Sequence, residues 1–284
     1  MFLVLLLNIL LLRSDSILVR TNEISDFTNA VSVTSDGKGK IYVLDADANE
    51  IVKLDENLKV EKRAGKKGWN NGEFDTPTSI DGSSGLDIYV SDGRNFRIQR
   101  FDLNLGFVSS IQTDYESFQE NLKFRTPVST VFVNPYLYVI DGENNRVVAY
   151  QNLSQNYSAP AFSFGGFQSA VKPFITPSKI IRDGYNNIYI LDRKQNTVFK
   201  YDNFGNYISS FENAAANSIT AYNNLMYVLD NEGLLVYESK KNAFTGKLLF
   251  AEKINFKNIK DILVLSSGKF YVLENNKLSE YSLK

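Results

Sequence analysis

The phrase IYVSDGRNFRIQRFD, beginning at Ile88, has relatives along the whole chain, and that repetition limits the available folds more than any other feature. In register with it stand IYVLDADANEIVKLD from Ile41, LYVIDGENNRVVAYQ from Leu137 and IYILDRKQNTVFKYD from Ile188. Two degenerate copies follow, MYVLDNEGLLVYES from Met226 and FYVLENNKLSEYSL from Phe270. The acidic residue that closes the phrase falls at Asp45, Asp92, Asp141, Asp192, Asp230 and Glu274, spaced by 47, 49, 51, 38 and 44 residues. Periods of this size belong to propellers and solenoids, and a β-helical solenoid would use a shorter one.

Within each unit a short apolar stretch runs into a turn dipeptide or near relative: Asp36-Gly37, Asp81-Gly82, Asn134-Pro135, Asp183-Gly184, Asn223-Asn224 and Ser267-Gly268. Such residues bend a hairpin. The strand that follows is apolar at successive positions, with Ile41 and Val43 on one face and Tyr42 and Leu44 on the other. A strand needs that pattern when its sheet is packed between two others, as inner propeller strands are. A third strand such as FRIQRFD and a more variable fourth such as FVSSIQ or YISSF complete four strands per unit. The sixth unit stops after its third strand, and residues 16–21, SILVRT, have no other evident place. The expected architecture is all-β: a six-bladed β-propeller of four-stranded antiparallel blades, its ring closed by an N-terminal strand in the last blade.

The approach GEFDTPTSI followed by IYVSDGRNFRIQRFD resembles the NHL repeat, whose signature is a Gly- and Phe-containing approach to a Pro, a strand, and then Asp-x-x-Asn-x-Arg-Ile. Asp92, Asn95, Arg97 and Ile98 match it fully, and Asp141, Asn144, Arg146 and Val147 match nearly as well. The first and fourth units keep Asp45 and Asp192 but carry Glu50 and Thr197 at the Arg position. The resemblance implies a six-bladed NHL propeller over residues 16–284. It does not imply one activity, because function belongs to sites grafted on the fold.

Composition removes whole classes of chemistry. With 31 basic and 32 acidic residues there is no global surplus of positive charge for nucleic acid. The basic run KVEKRAGKK, residues 59–67, reads as a Lys-protected outer strand. The chain contains no His and no Cys, which excludes Ser-His-Asp and Cys-His catalysis and imidazole- or thiolate-bound metals. Residues 1–15 hold an apolar run, Phe2 to Leu12, interrupted by Asn8. It is too short to span a bilayer and has the length of a signal-peptide core, so export to the periplasm or the extracellular space is expected, with no transmembrane span left after its removal.

Asp92, Asn95, Asp141 and Asn144 read as framework, because Asp and Asn stabilise tight turns and Arg holds them by pairing with carboxylate or carbonyl. Phe74, Phe124 and Phe174, each two residues before a Thr-Pro, read as plugs between blades. The loops before them, residues 65–73, 113–123 and 164–173, are long, whereas the corresponding 212–217 is short. They emerge on the same rim as the Asp-x-x-Asn-x-Arg turns. That rim is expected to gather Trp69, Tyr115, Phe118, Phe167, Arg97 and Arg146 as a binding surface. The leading expectation is therefore a non-catalytic binding or scaffold propeller, free of cofactors, for a protein or an extracellular polymer. The alternative is a lactonase- or strictosidine-synthase-like hydrolase or lyase with Ca²⁺ in the central channel. Asp81, Asn134 and Asp183 sit in hairpins facing away from the rim, where turn chemistry accounts for them.

Overall fold

The computed structural model describes residues 16–112, 123–151, 160–167, 169, 171–212, 216–265 and 268–284. It opens with β1 (Ser16–Ile24) and then runs through successive antiparallel meanders. The first sheet holds β2 (Ala30–Ser35), β3 (Ile41–Asp45), β4 (Glu50–Leu54) and β5 (Val60–Ala64). The second holds β6 (Pro77–Asp81), β7 (Ile88–Asp92), β8 (Arg97–Phe101) and β9 (Phe107–Gln112). The third holds β10 (Pro127–Val133), β11 (Tyr136–Asp141), β12 (Arg146–Gln151) and β13 (Pro160–Phe164). The fourth holds β14 (Pro177–Arg182), β15 (Ile188–Asp192), β16 (Thr197–Tyr201) and β17 (Tyr207–Glu212). The remaining strands are β18 (Ser218–Tyr222), β19 (Leu225–Leu229), β20 (Leu234–Glu238), β21 (Ala243–Phe250), β22 (Ile259–Val264), β23 (Lys269–Glu274) and β24 (Lys277–Leu283). They join β1 in an eight-stranded sheet of order β18-β19-β20-β21-β1-β24-β23-β22. Strands β2, β6, β10, β14, β18 and β22 touch in that order, and β22 touches β2, so the innermost strands surround a common axis. This is an all-β propeller.

The repeated phrase has a packing reason at nearly every position. Its strand is buried on both faces because each sheet lies between two others. Phe74 packs with Tyr42, Leu44 and Ile51 of the first sheet and with Ile80, Ile88 and Val90 of the second. Phe124 and Phe174 do the same between the second and third and between the third and fourth sheets. Each contributes on the order of 1.5–3 kcal/mol by burial, and truncation to Ala would cost more because a cavity remains. The recurrent Tyr reaches from one sheet to the next. Tyr42 donates its hydroxyl to the Leu103 carbonyl at 2.9 Å, Tyr138 donates to that of Asn203, and Tyr189 to that of Ser239 at 3.4 Å.

Strand β1 pairs antiparallel with β24, from Leu18 opposite Leu283 to Ile24 opposite Leu278. It is longer than the 16–21 segment expected from sequence and has an irregularity between Arg20 and Asn22. Its first residues also pair in parallel with β21, Ser16 opposite Leu248 and Leu18 opposite Phe250, an edge contact with no sequence signature. Glu280 fastens this region. Its carboxylate accepts hydrogen bonds from Thr21 Oγ1 at 2.7 Å, Lys269 Nζ at 2.9 Å and the Tyr271 hydroxyl at 2.9 Å. Burial pushes the carboxyl up, but Lys269, Thr21 and Tyr271 together hold it below the ordinary glutamate value. A depressed carboxyl contributes stability that is present above the unfolded-state pKa and lost as pH falls through the folded one. Glu280→Gln is therefore expected to cost about 1 to 2 kcal/mol at neutral pH, with the gap to the wild type closing below about pH 4. Urea titrations at several pH values check this, and a gap that stays constant into acid refutes it. No helix among the described residues is long and apolar enough to cross a membrane.

Candidate functional site

In the first four sheets the acidic residue ending the second strand points at the loop that leads into its own sheet. Asp45 accepts hydrogen bonds from the Thr28 and Asn29 amides at 2.6 and 3.0 Å, Asp92 from the Asp75 amide at 2.8 Å, Asp141 from the Arg125 amide at 3.0 Å and Asp192 from the Ile175 amide at 2.6 Å. Asn95 Nδ2 and Arg97 Nε both donate to Asp92 Oδ2 at 2.9 Å. In the third sheet Asn144 Nδ2 donates to Asp141 at 2.7 Å and Arg146 Nε at 3.3 Å. These residues hold turns and loops together.

Arg97 departs from its expected place. The sequence put it on the open rim, but its side chain is 3% exposed. Its remaining donors reach the Trp69 carbonyl at 2.8 Å and those of Asn70 and Glu73 at 2.9 and 2.8 Å. Asn95 and Gln99 add bonds to the carbonyls of Gly68 at 2.8 Å and Glu73 at 2.7 Å. Four of the five N–H donors of this buried guanidinium are thus taken by a carboxylate and three carbonyls, which makes it a framework group rather than a rim side chain. Its effect is to fix the backbone of residues 68–73 while leaving the Trp69 indole 67% exposed. Arg146 is likewise drawn inward, onto Asp141 and, at 2.6 Å, the Lys123 carbonyl.

Phe167 stands 94% exposed on the loop after β13, next to Gly166, which lies against Arg146. Tyr115 and Phe118 lie outside the described residues. A further aromatic was missed from the sequence. Phe96 has a left-handed backbone, φ 51°, at the position where other copies place Asn49, Asn145 and Asn196, at φ 55°, 49° and 48°. Left-handed geometry suits Asn and is costly for a bulky side chain. Leu58 and Leu105 share the left-handed geometry and are buried, which offsets it, whereas Phe96 stays 40% exposed. The register of the copies displays this Phe-for-Asn exchange to anyone aligning them.

The central channel encloses a cavity of about 500 Å³. Its wall carries a ladder of hydroxyls that accept amides from the next sheet: Ser32 from Ile80 at 3.3 Å, Ser79 from Thr130 at 3.2 Å and Ser129 from Ile180 at 3.3 Å. Lys179 and Asp261 replace serine in this ladder and form an ion pair. Asp261 also accepts the Ser218 hydroxyl at 2.9 Å, the Ser32 hydroxyl at 3.2 Å and the Val33 amide at 3.1 Å. Asp81 accepts the Ser83 and Phe132 amides, and Asp183 those of Tyr185 and Asn187. Among the described residues no group of three His, Cys, Asp or Glu side chains is placed to hold a metal ion. A calcium ion at Asp261 would lie against the Lys179 ammonium, so the channel residues do not fit one.

No family model matches the sequence, and no curated protein matches it. Solved structures do. A streptogramin B lyase superposes with a TM-score of 0.63 at 14% identity, over 95% of this chain and 98% of that one. Selenomethionine-substituted virginiamycin B lyase from Staphylococcus aureus superposes with a TM-score of 0.61 at 12% identity, over 95% and 100%. At these identities the likeness establishes a shared propeller fold.

Proposed function

We propose that the chain is an exported, six-bladed propeller of the NHL type that binds a protein or an extracellular polymer on the rim carrying Trp69, Phe96 and Phe167. Six blades follow if the eight-stranded sheet counts as two, with β21 and β1 as outer strands meeting edge to edge. The observation that carries the binding reading is Phe96: a bulky side chain held in left-handed backbone geometry while 40% exposed is the kind of strain found at functional positions. Arg97, Asn95 and Gln99 supply a rigid base beneath Trp69, and pre-ordered aromatic anchors lose little entropy on binding.

Phe96→Asn separates this from a structural role. It is expected to raise stability by up to about 1 kcal/mol, since Asn accepts left-handed geometry, while weakening partner retention. Combined with Trp69→Ala it should cost at least about 2 kcal/mol of binding, roughly thirtyfold. Affinity capture on wild-type and variant chains, with melting curves of both, reads the two effects. Lower melting with unchanged capture would make Phe96 a packing residue. A second reading, an enzyme working in the channel, draws on the likeness to two lyases. Its weakness is that Lys179 and Asp261 neutralise each other and no His is present. Turnover of virginiamycin B that Lys179→Met abolishes and Trp69→Ala spares would favour it.

A further inference from the structure

On the face opposite the rim, the β10–β11 hairpin has only Asn134 and Pro135 between its strands, whereas the flanking hairpins span residues 82–87 and 183–187. The short hairpin is recessed between two taller ones. Arg182, at the end of β14, arches over it to the second sheet, donating from Nη2 to the Ser83 carbonyl at 2.6 Å. Beneath lies a cavity of about 490 Å³. Leu86 and Pro135 form its exposed lips. Its wall is Phe132, which stacks on Tyr89 with ring centroids 5.6 Å apart. Arg100 enters from β8 and gives one Nη2 bond to Asp87 at 2.8 Å, while its buried Nε has no partner. Among the lining side chains two guanidiniums meet one carboxylate, Asp87, while Asp81 lies buried behind them and accepts the Ser83 and Phe132 amides.

We infer that this recess is a second binding site, separate from the rim, for a small planar aromatic anion such as an aryl carboxylate. The size suits a small ligand, and the mix of apolar walls with a few convergent polar groups is what such sites use. A carboxylate can accept from Arg100 Nη1, which is not among the buried atoms and has no acceptor among the described residues, with its ring lying between Phe132 and the lips. A cation would meet two guanidiniums.

The test is titration of the full chain with 2-naphthoate, read by ligand fluorescence, against 2-naphthylmethylamine as the cationic control. Naphthoate is expected to bind saturably and the amine not. Arg100→Met should weaken naphthoate at least about tenfold. Leu86→Glu, at a lip residue 70% exposed, should do likewise by charge with melting near the wild type, so the site stays testable if Arg100→Met folds poorly. The Trp69→Ala rim variant should bind naphthoate like the wild type, which keeps this site apart from the partner surface. Absence of saturable naphthoate binding, equal binding of the amine, or unchanged affinity in Leu86→Glu overturns the inference.

Discussion

A chain starting at Ser25 is expected to melt roughly 10 °C or more below one starting at Ser16, if it folds at all. The nine residues of β1 cover two strand edges at once, those of β24 and β21. Leu18 is fully buried in a cluster with Leu234, Val236, Leu248 and Tyr281, and removing a core Leu costs about 2–5 kcal/mol before any hydrogen bond is counted. The backbone bonds from Ala251 to Leu18 and from Lys284 to Ile17 go too, as does the Thr21 bond to Glu280. Two edges of unpaired amides and carbonyls then face water or another chain, so the truncated protein should also aggregate on heating. Circular dichroism melts of the two chains, with light scattering, measure both effects. Coincident melts would show that β1 is an ornament on a ring that closes without it.

That β1 belonged beside the last strand was legible because strands can be counted by their repeating phrase, and a unit ending at LSEYSLK lacks a fourth. Recurrence made the hairpins, the interblade Phe and the acidic turn residues readable, since each solves the same local problem in several sheets. Legibility stopped where a residue's partner depends on geometry that does not repeat. That Arg97 would hold the turn by pairing with a carboxylate or carbonyl was readable; that it would be buried beneath the rim was not, because the carbonyls that draw it in belong to the folded 68–73 loop. Lys179 and Asp261 are 82 residues apart, and their pairing needs the ring to bring β14 and β22 to one channel. Phe96 was different in kind. Its signal lay in the aligned copies, but reading it required knowing that the Asn it replaces is left-handed.

The acidic residue of the best-matched repeat should matter in proportion to what it neutralises. Asp92 is fully buried against the Arg97 guanidinium, itself 3% exposed. Burial pushes the Asp92 carboxyl up, against the Asp75 amide, Asn95 and Arg97, which pull it down. The net upward direction means the pair does not fully recover the desolvation of its charge, a common balance for buried ion pairs. Such a pair is costly to break from one side only. Asp92→Ala would strand a buried guanidinium and leave the Asp75 amide and Asn95 without their acceptor, at about 3–5 kcal/mol, or roughly 6 to 20 °C of melting temperature. Asp141→Ala should cost less, because Arg146 is more exposed, at 14%, and its bond to Asp141 is longer, at 3.3 Å. Asp47→Ala, an exposed position in the first sheet's turn, serves as the surface control. The expected order of destabilisation is Asp92, then Asp141, then Asp47. Binding should follow stability for Asp92, since loosening Arg97 frees the loop that presents Trp69. An Asp92 variant that melts with the Asp47 control yet loses its partner would mean that the carboxylate itself meets the ligand.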